Sequence, residues 1–350
     1  MSHPFFRFVP HATVALLMVV SGVLMVSAAR NDSVVVDELA HIPSGYTYVR
    51  FLDYRLNPEH PPLLKALSAL PLLALDLNFP TDDERWVSGL NEQWGLGTKF
   101  LYESGNNPDE IVFLARLAPI LLTLLLIILI FVWASELVGR WWALLPTFLF
   151  ALSPNVIAHG HLVTTDLAAT FGVVLSTYLF LRYLMQPSGK RLVAAGIGFG
   201  IAELLKFSLV LLIPFFFLLA LHPWVTAFLR HPGPNAARRY ADTKSLLRKQ
   251  VGAFLSVVGI GFLLVYLLYA VFITNYPMEK QLSDTLTIFE NHEPRWPIDA
   301  TTWMIQHPLT RPIAHYLSGL FVVLSHLVSG HLVYFFSVVS ENGWWFYFPL

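Results

Sequence analysis

An all-α polytopic membrane protein is the fold that this sequence predicts, with about seven transmembrane helices, surface-lying helices and two large extracytoplasmic loops. Three observations carry it. Only 13% of the 350 residues are charged, roughly half of the ~25% usual in a soluble domain. Mean hydropathy is +0.59. Runs such as residues 120–133 hold no charge at all, and runs approaching ~20 apolar residues have the length that crosses a bilayer.

The first run, residues 11–29, follows a segment whose one full positive charge is Arg7. Ser27-Ala28-Ala29 has the small residues of a signal-peptide cleavage site. The run itself, about 18 residues, exceeds the usual ~7–15-residue core of such a peptide and reads as an uncleaved span. Further spans follow at 111–134, 141–158, 166–185, 191–205, 207–224 and 251–274, with a polar break from Glu203 to Ser208 dividing two short helices. The stretches 63–77 and 313–339 carry Lys65, Pro71 and Asp76, and His315, His326 and His331. Both read as helices on or near the membrane surface.

Lys and Arg are enriched in cytoplasmic loops. With the N-terminus inside, the inner set runs from Arg7 and Arg140 through the basic stretch Arg230 to Lys249. The segments 30–110 and 275–343 then face outward with 19 of the 23 acids. The organisation expected is a transmembrane core over 1–274 that includes the first extracytoplasmic loop 30–110. Residues 275–350 form a second outer loop and the start of a further span. The closing Gly-Trp-Trp-Phe-Tyr-Phe-Pro-Leu is too short to cross a bilayer and reads as the front of a longer chain. A net charge of −1 excludes the basic face of a nucleic-acid-binding domain. The absence of cysteine excludes disulfides, thiolate metal sites and cysteine nucleophiles.

Ionisable groups in or beside spans cost roughly 2.5–3.5 kcal/mol at mid-bilayer and mark cavities or partners. Four places stand out, all on the predicted outer side. Asp37 and Glu38 follow the first span. One carboxylate can face a cavity while the other serves structure, or both can stabilise a helix N-terminus. In Asn57-Pro58-Glu59-His60-Pro61-Pro62 the prolines hold Glu59 and His60 just before a helix start, a place suited to an anion or to a rigid turn. His159, His161 and Asp166 share a loop with Thr165 as N-cap. Metal binding, a substrate-facing role and helix capping are all open there. Glu203 and Lys206, three residues apart, are either a local ion pair or a cation presented to a phosphate. No Walker motif or Ser/His/Asp series accompanies them.

The segments Asp37-Glu38-Leu39-Ala40-His41-Ile42-Pro43-Ser44-Gly45-Tyr46 and Asn57-Pro58-Glu59-His60-Pro61-Pro62-Leu63-Leu64-Lys65 resemble the first outer loop of bacterial protein O-mannosyltransferase-like proteins. These belong to the GT-C glycosyltransferase superfamily, together with the aminoarabinose transferases of lipid A. Ser153-Pro154-Asn155 through His159-Gly160-His161 to Thr164-Thr165-Asp166 resembles their second outer loop. Leu204-Leu205-Lys206-Phe207-Ser208 and Gly343-Trp344-Trp345-Phe346-Tyr347-Phe348-Pro349 are similar as well.

The resemblance implies a GT-C fold in a bacterial inner membrane, with a periplasmic active site. It also implies an inverting transfer of a sugar from a polyprenyl-phosphate donor to a protein, lipid or glycan hydroxyl. Asp37 is then the catalytic base, Glu38 its orienting partner, and Asp166 a support for the acceptor or for a divalent ion. Lys206 holds the lipid phosphate, with His60, Glu59, Lys65, His159 and His161 as further substrate-binding candidates. A transporter or flippase of lipid-linked sugar is the main rival, and a truncated non-catalytic relative the second. No inverted repeat or matched pair of broken helices supports transport.

Overall fold

The computed structural model describes residues 8–229, 236–329, 333–335, 337–340 and 344. It is mainly helical: α1 (Val9–Asn31), α2 (Val36–Phe51), α3 (Leu63–Ala69), α4 (Glu84–Val87), α5 (Gln93–Thr98), α6 (Pro108–Val138), α7 (Leu144–Ala151) and α8 (Pro154–His159). There follow α9 (Thr165–Met185), α10 (Gly189–Leu205), α11 (Leu212–Leu229), α12 (Ala236–Phe272), α13 (Met278–Ile288), α14 (Trp296–Ile305) and α15 (Arg311–Ser329). A small antiparallel hairpin, β1 (Val333–Phe335) with β2 (Val338–Ser340), qualifies the all-α expectation.

Among the described residues, five helices are long and apolar enough to cross a membrane: Val9–Asn31, Pro108–Val138, Thr165–Met185, Phe207–Thr226 and Lys244–Phe272. The expected span 141–158 is broken into two short helices, α7 and α8, because Pro154 lacks the N–H that would continue α7. The expected span 191–205 is helix α10, which packs between α9 and α12. The expected inner loop 225–250 is partly absorbed into α12, which begins at Ala236. Within 63–77 the start is buried, Leu64 and Lys65 of α3 packing against α2 and α6, whereas Leu70 and Leu73 beyond it are exposed. Of the closing Gly343–Pro349 motif, all but Trp344 lies outside the described residues.

Local signals explain the helix ends that matter for the site. Asn107 caps α6 by accepting from the Glu110 N–H at 3.4 Å, with Pro108 at the first position. Ser188 caps α10 through the Arg191 N–H at 3.3 Å. At Lys206 the backbone turns extended (φ −157°, ψ 135°), which breaks the run before a 3-10 turn over Phe207–Leu211. The N-cap of α9 is Thr164, one residue before the expected Thr165. Where α2 crosses α3, a Cβ on Gly45 would sit 2.1 Å from the Lys65 carbonyl oxygen. Only glycine allows that approach.

Candidate functional site

Glu38 is the structural hinge of the site. Its side chain and that of Arg116 from α6 are both 0% exposed. Arg116 grips the carboxylate with a two-pronged fork, Nε to Oε1 at 2.9 Å and Nη2 to Oε2 at 2.6 Å. The remaining guanidinium protons go to the carbonyls of Ala29, Asp32 and Ser33 at 3.0, 2.8 and 2.8 Å. All five donors of the arginine are therefore used. Glu38 also accepts from the N–H of Val35 at 3.1 Å and of Val163 at 3.0 Å. One buried pair thus joins the end of α1, the start of α2, the middle of the chain at α6 and the turn before α9.

His41 completes the clamp on Val163. Its Nδ1 donates to the Val163 carbonyl at 2.6 Å, so both sides of that residue are held by α2. Burial, reinforced by the Lys65 charge, lowers His41 to about 4. The ring is neutral at pH 7, and a neutral ring donating through Nδ1 keeps Nε2 as an acceptor.

This clamp positions Asp166, three residues beyond Val163, against Asp37. Asp166 Oδ1 accepts from Lys206 Nζ at 2.6 Å, with side-chain exposures of 62% and 29%. Asp37 is exposed at the start of α2, and its carboxyl is raised from the usual range. Desolvation is the largest cause and the Asp166 charge the next, with Lys206 opposing. The predicted trio Asp37, Asp166 and Lys206 therefore meets at the ends of α2, α9 and α10. A groove of about 240 Å³ opens beside it, lined by Asp166, His159, Asn155, Phe150, Leu167 and Thr170 among others.

Four predicted site residues have structural partners instead. The Glu38 carboxylate is held by Arg116 and by two backbone N–H groups. Lys65 has no proton left for a phosphate. Its three Nζ protons are shared among four acceptors, Tyr48 Oη (2.9 Å), Asn57 O (2.9 Å) and Oδ1 (2.6 Å), and His60 O (2.7 Å). Desolvation pulls this ammonium well below its ordinary value, with Glu59 opposing. Glu59 is buried and accepts from Gln93 and from Asn91 Nδ2 at 3.2 Å. His161 is buried between the Ile157 carbonyl and Asp32, each at 3.0 Å. Lys65 therefore fixes the Asn57–Pro62 turn, in which Asn57 takes a left-handed φ of 53°.

His60 lies edge-on to His41, ring centroids 5.0 Å apart, which brings the Asn57–Pro62 turn to the rim of the trio. Glu203 does not pair with Lys206; it accepts from Tyr316 on α15 at 2.7 Å. Among the described residues no group of three His, Asp or Glu side chains converges to hold a metal ion. His159, His161 and Asp166 are separated because His161 turns to Asp32. The described residues do not converge on a protein-built divalent site.

Sequence reading passed over Arg116 and His41. Arg116 carried a signal, as a lone cation within the apolar run 111–134, where an ionisable residue marks a partner. His41 carried none apart from its place one turn after Asp37.

Two consequences are measurable. Lys65→Met leaves the buried Asn57 Oδ1 without its donor, at roughly 1–3 kcal/mol for an unsatisfied group, and removes one of the two donors to each of the Asn57 and His60 carbonyls. It should lower the thermal unfolding midpoint in detergent; a phosphate-binding role would instead raise the KM for a donor and leave unfolding unchanged. Second, His41 is held neutral and low while the unfolded histidine titrates near ~6.5. The unfolded chain then binds the extra proton, so stability is complete above about pH 6.5 and falls as pH drops toward 4. The slope approaches about 1.4 kcal/mol per pH unit for this group. His41→Asn, which keeps a donor for Val163, should flatten the pH dependence of unfolding between pH 6.5 and 4.5.

Residues 110–237 match the family model described as dolichyl-phosphate-mannose-protein mannosyltransferase. The match runs from the start of α6 into α12; it includes Arg116, Asp166 and Lys206 and leaves Asp37 outside. No curated protein and no solved structure matches the chain.

Proposed function

We propose that this chain is an inverting membrane glycosyltransferase that moves a sugar from a polyprenyl-phosphate carrier to an acceptor hydroxyl outside the cytoplasm. The observation that carries this reading is the meeting of two carboxylates and one lysine at the ends of α2, α9 and α10. The family model matched over residues 110–237 supports the donor class. Asp37 takes the proton of the acceptor hydroxyl as its oxygen attacks the anomeric carbon. The carbon–oxygen bond to phosphate breaks, and the electron pair leaves on the phosphate. A phosphate leaves without the protonation a glycosidase must supply. Lys206 stabilises the charge that develops there, and Asp166 orients that lysine through their ion pair. His159 and His60 contact the sugar or acceptor from the rim, while Glu38, Glu59, Lys65 and His161 act through the scaffold.

In this reading residues 1–274 form the catalytic core, 275–350 an extracytoplasmic loop and the start of a further span, and the N-terminus is cytoplasmic in a bacterial inner membrane. The charge bias between the two sets of loops supports that orientation.

The test is the pH profile of transfer. Asp37 titrates above the ordinary carboxylate, first through desolvation and next through the charge of nearby Asp166, with Lys206 opposing. A base must be ionised, so rate falls on the acid side as Asp37 gains its proton. Asp166→Asn removes a like charge and should move the acid limb of kcat/KM to lower pH; Lys206→Met should move it to higher pH. Identical acid limbs in all three proteins would remove Asp37 from the role of base.

A further inference from the structure

A wide groove lies away from the trio, on the flank of α1 and α6. It is a groove of about 720 Å³, walled by Met18, Gly22, Val26 and Leu124 and ending at Ser27, Arg30 and Asn31. The apolar wall follows α1 along a face whose neighbouring residues Val19 and Val23 are exposed, as helix faces turned to hydrocarbon are. Its polar end is built differently. The Arg30 guanidinium lies over the Phe113 ring, 4.9 Å from the centroid, which holds it at the mouth. Among the described residues no carboxylate lies within 4.0 Å of Arg30, and the nearby Asp32 is engaged by His161. The Asn31 amide is bonded back to the Ser27 carbonyl at 2.7 Å, which shapes the rim.

An apolar channel ending at one uncompensated, positioned cation is complementary to a lipid with an anionic head. We infer that this groove is a binding site for one anionic diacyl phospholipid, its phosphodiester at Arg30 and Ser27 and one acyl chain along Met18–Val26. A bilayer phospholipid, and not the sugar carrier, is the occupant. The groove is open along a helix flank to the surrounding lipid, and it is built from α1 and α6, whereas the site groove beside Asp166 is built from α7, α8 and α9. The head end lies at the α1 terminus that leads directly into α2, so lipid occupancy reports on the same end of the bundle as Asp37.

Each basic residue near an anionic headgroup contributes about fivefold in binding. The experiment is native mass spectrometry of the full chain with phosphatidylglycerol or phosphatidylcholine of matched chains. The wild type should retain phosphatidylglycerol about fivefold more, and added salt should reduce that preference. Arg30→Gln should abolish the preference, and Arg30→Lys should keep part of it. Gly22→Leu should lower retention of both lipids, since it fills the channel without touching the charge. A Cβ at Gly22 meets only the Leu124 side chain, at 3.8 Å, so the backbone there has room for a side chain that extends into the groove. Equal retention of the two lipids by the wild type, or unchanged retention in Arg30→Gln and Gly22→Leu, would overturn the site. So would displacement of phosphatidylglycerol by a polyprenyl phosphate at this groove. None of these outcomes depends on whether the chain transfers sugar.

Discussion

Asp37→Asn is expected to lower sugar transfer by about 10²–10⁴-fold, the range for loss of a positioned general base, while affinity for the lipid-linked donor stays unchanged. The expectation follows from where Asp37 sits. It is the exposed neighbour of Glu38, whose own carboxylate is consumed by Arg116, Val35 and Val163. Asparagine keeps the size and the helix start, so the fold is retained, but it accepts no proton. The loss should appear in kcat with little change in KM, because the group acts in the transition state. Lys206→Met should show the complementary pattern, with weakened donor binding as well as slower turnover. A carrier that moves lipid-linked sugar without chemistry would instead show altered donor affinity or flux in Asp37→Asn. Single-turnover transfer beside donor binding, in purified wild type and variant, separates the two.

Arg116→Leu is expected to cause the largest loss of stability of any single change in the chain. Breaking a buried ion pair by removing one partner costs about 3–5 kcal/mol, because the remaining charge is left in a low-dielectric interior. Here the loss also strands the carbonyls of Ala29, Asp32 and Ser33. Thermal unfolding in detergent should show a large drop. Glu38→Leu combined with Arg116→Leu should be less destabilising than the sum of the single changes, since removing both partners leaves no lone charge. Additive losses would mean that the two residues act independently. Any activity that survives in Arg116→Leu should fall because the Val163 turn, and with it Asp166, is no longer fixed to α2.

The long apolar spans were legible because hydrocarbon imposes length and the absence of charge, and both are visible residue by residue. The three residues that meet at the site were legible for the complementary reason: Asp37, Asp166 and Lys206 are ionisable groups at span ends, where each needs a partner. What they pair with was not legible. Glu38 and Asp37 are chemically near-identical neighbours, and only the position of Arg116, 78 residues away, sends one inward and leaves the other at the surface. Lys65 was a phosphate-ligand candidate through the family resemblance alone; the fold turns it back onto the Asn57 and His60 carbonyls. The division of 141–158 at Pro154 was legible in principle, but its high hydropathy masked the break. The pairing of Glu203 with Tyr316 joins residues 113 apart, and local spacing favoured Lys206 instead.

The most direct measurement is transfer of label from a radiolabelled polyprenyl-phosphate sugar panel, in membranes that carry this chain, read as label covalently joined to an acceptor. The proposed function predicts acceptor labelling from at least one donor, dependent on Asp37 and absent when a soluble sugar nucleotide replaces the lipid donor in washed membranes. Movement of intact lipid-linked sugar across the membrane, with no bond broken and no acceptor labelled, would contradict it.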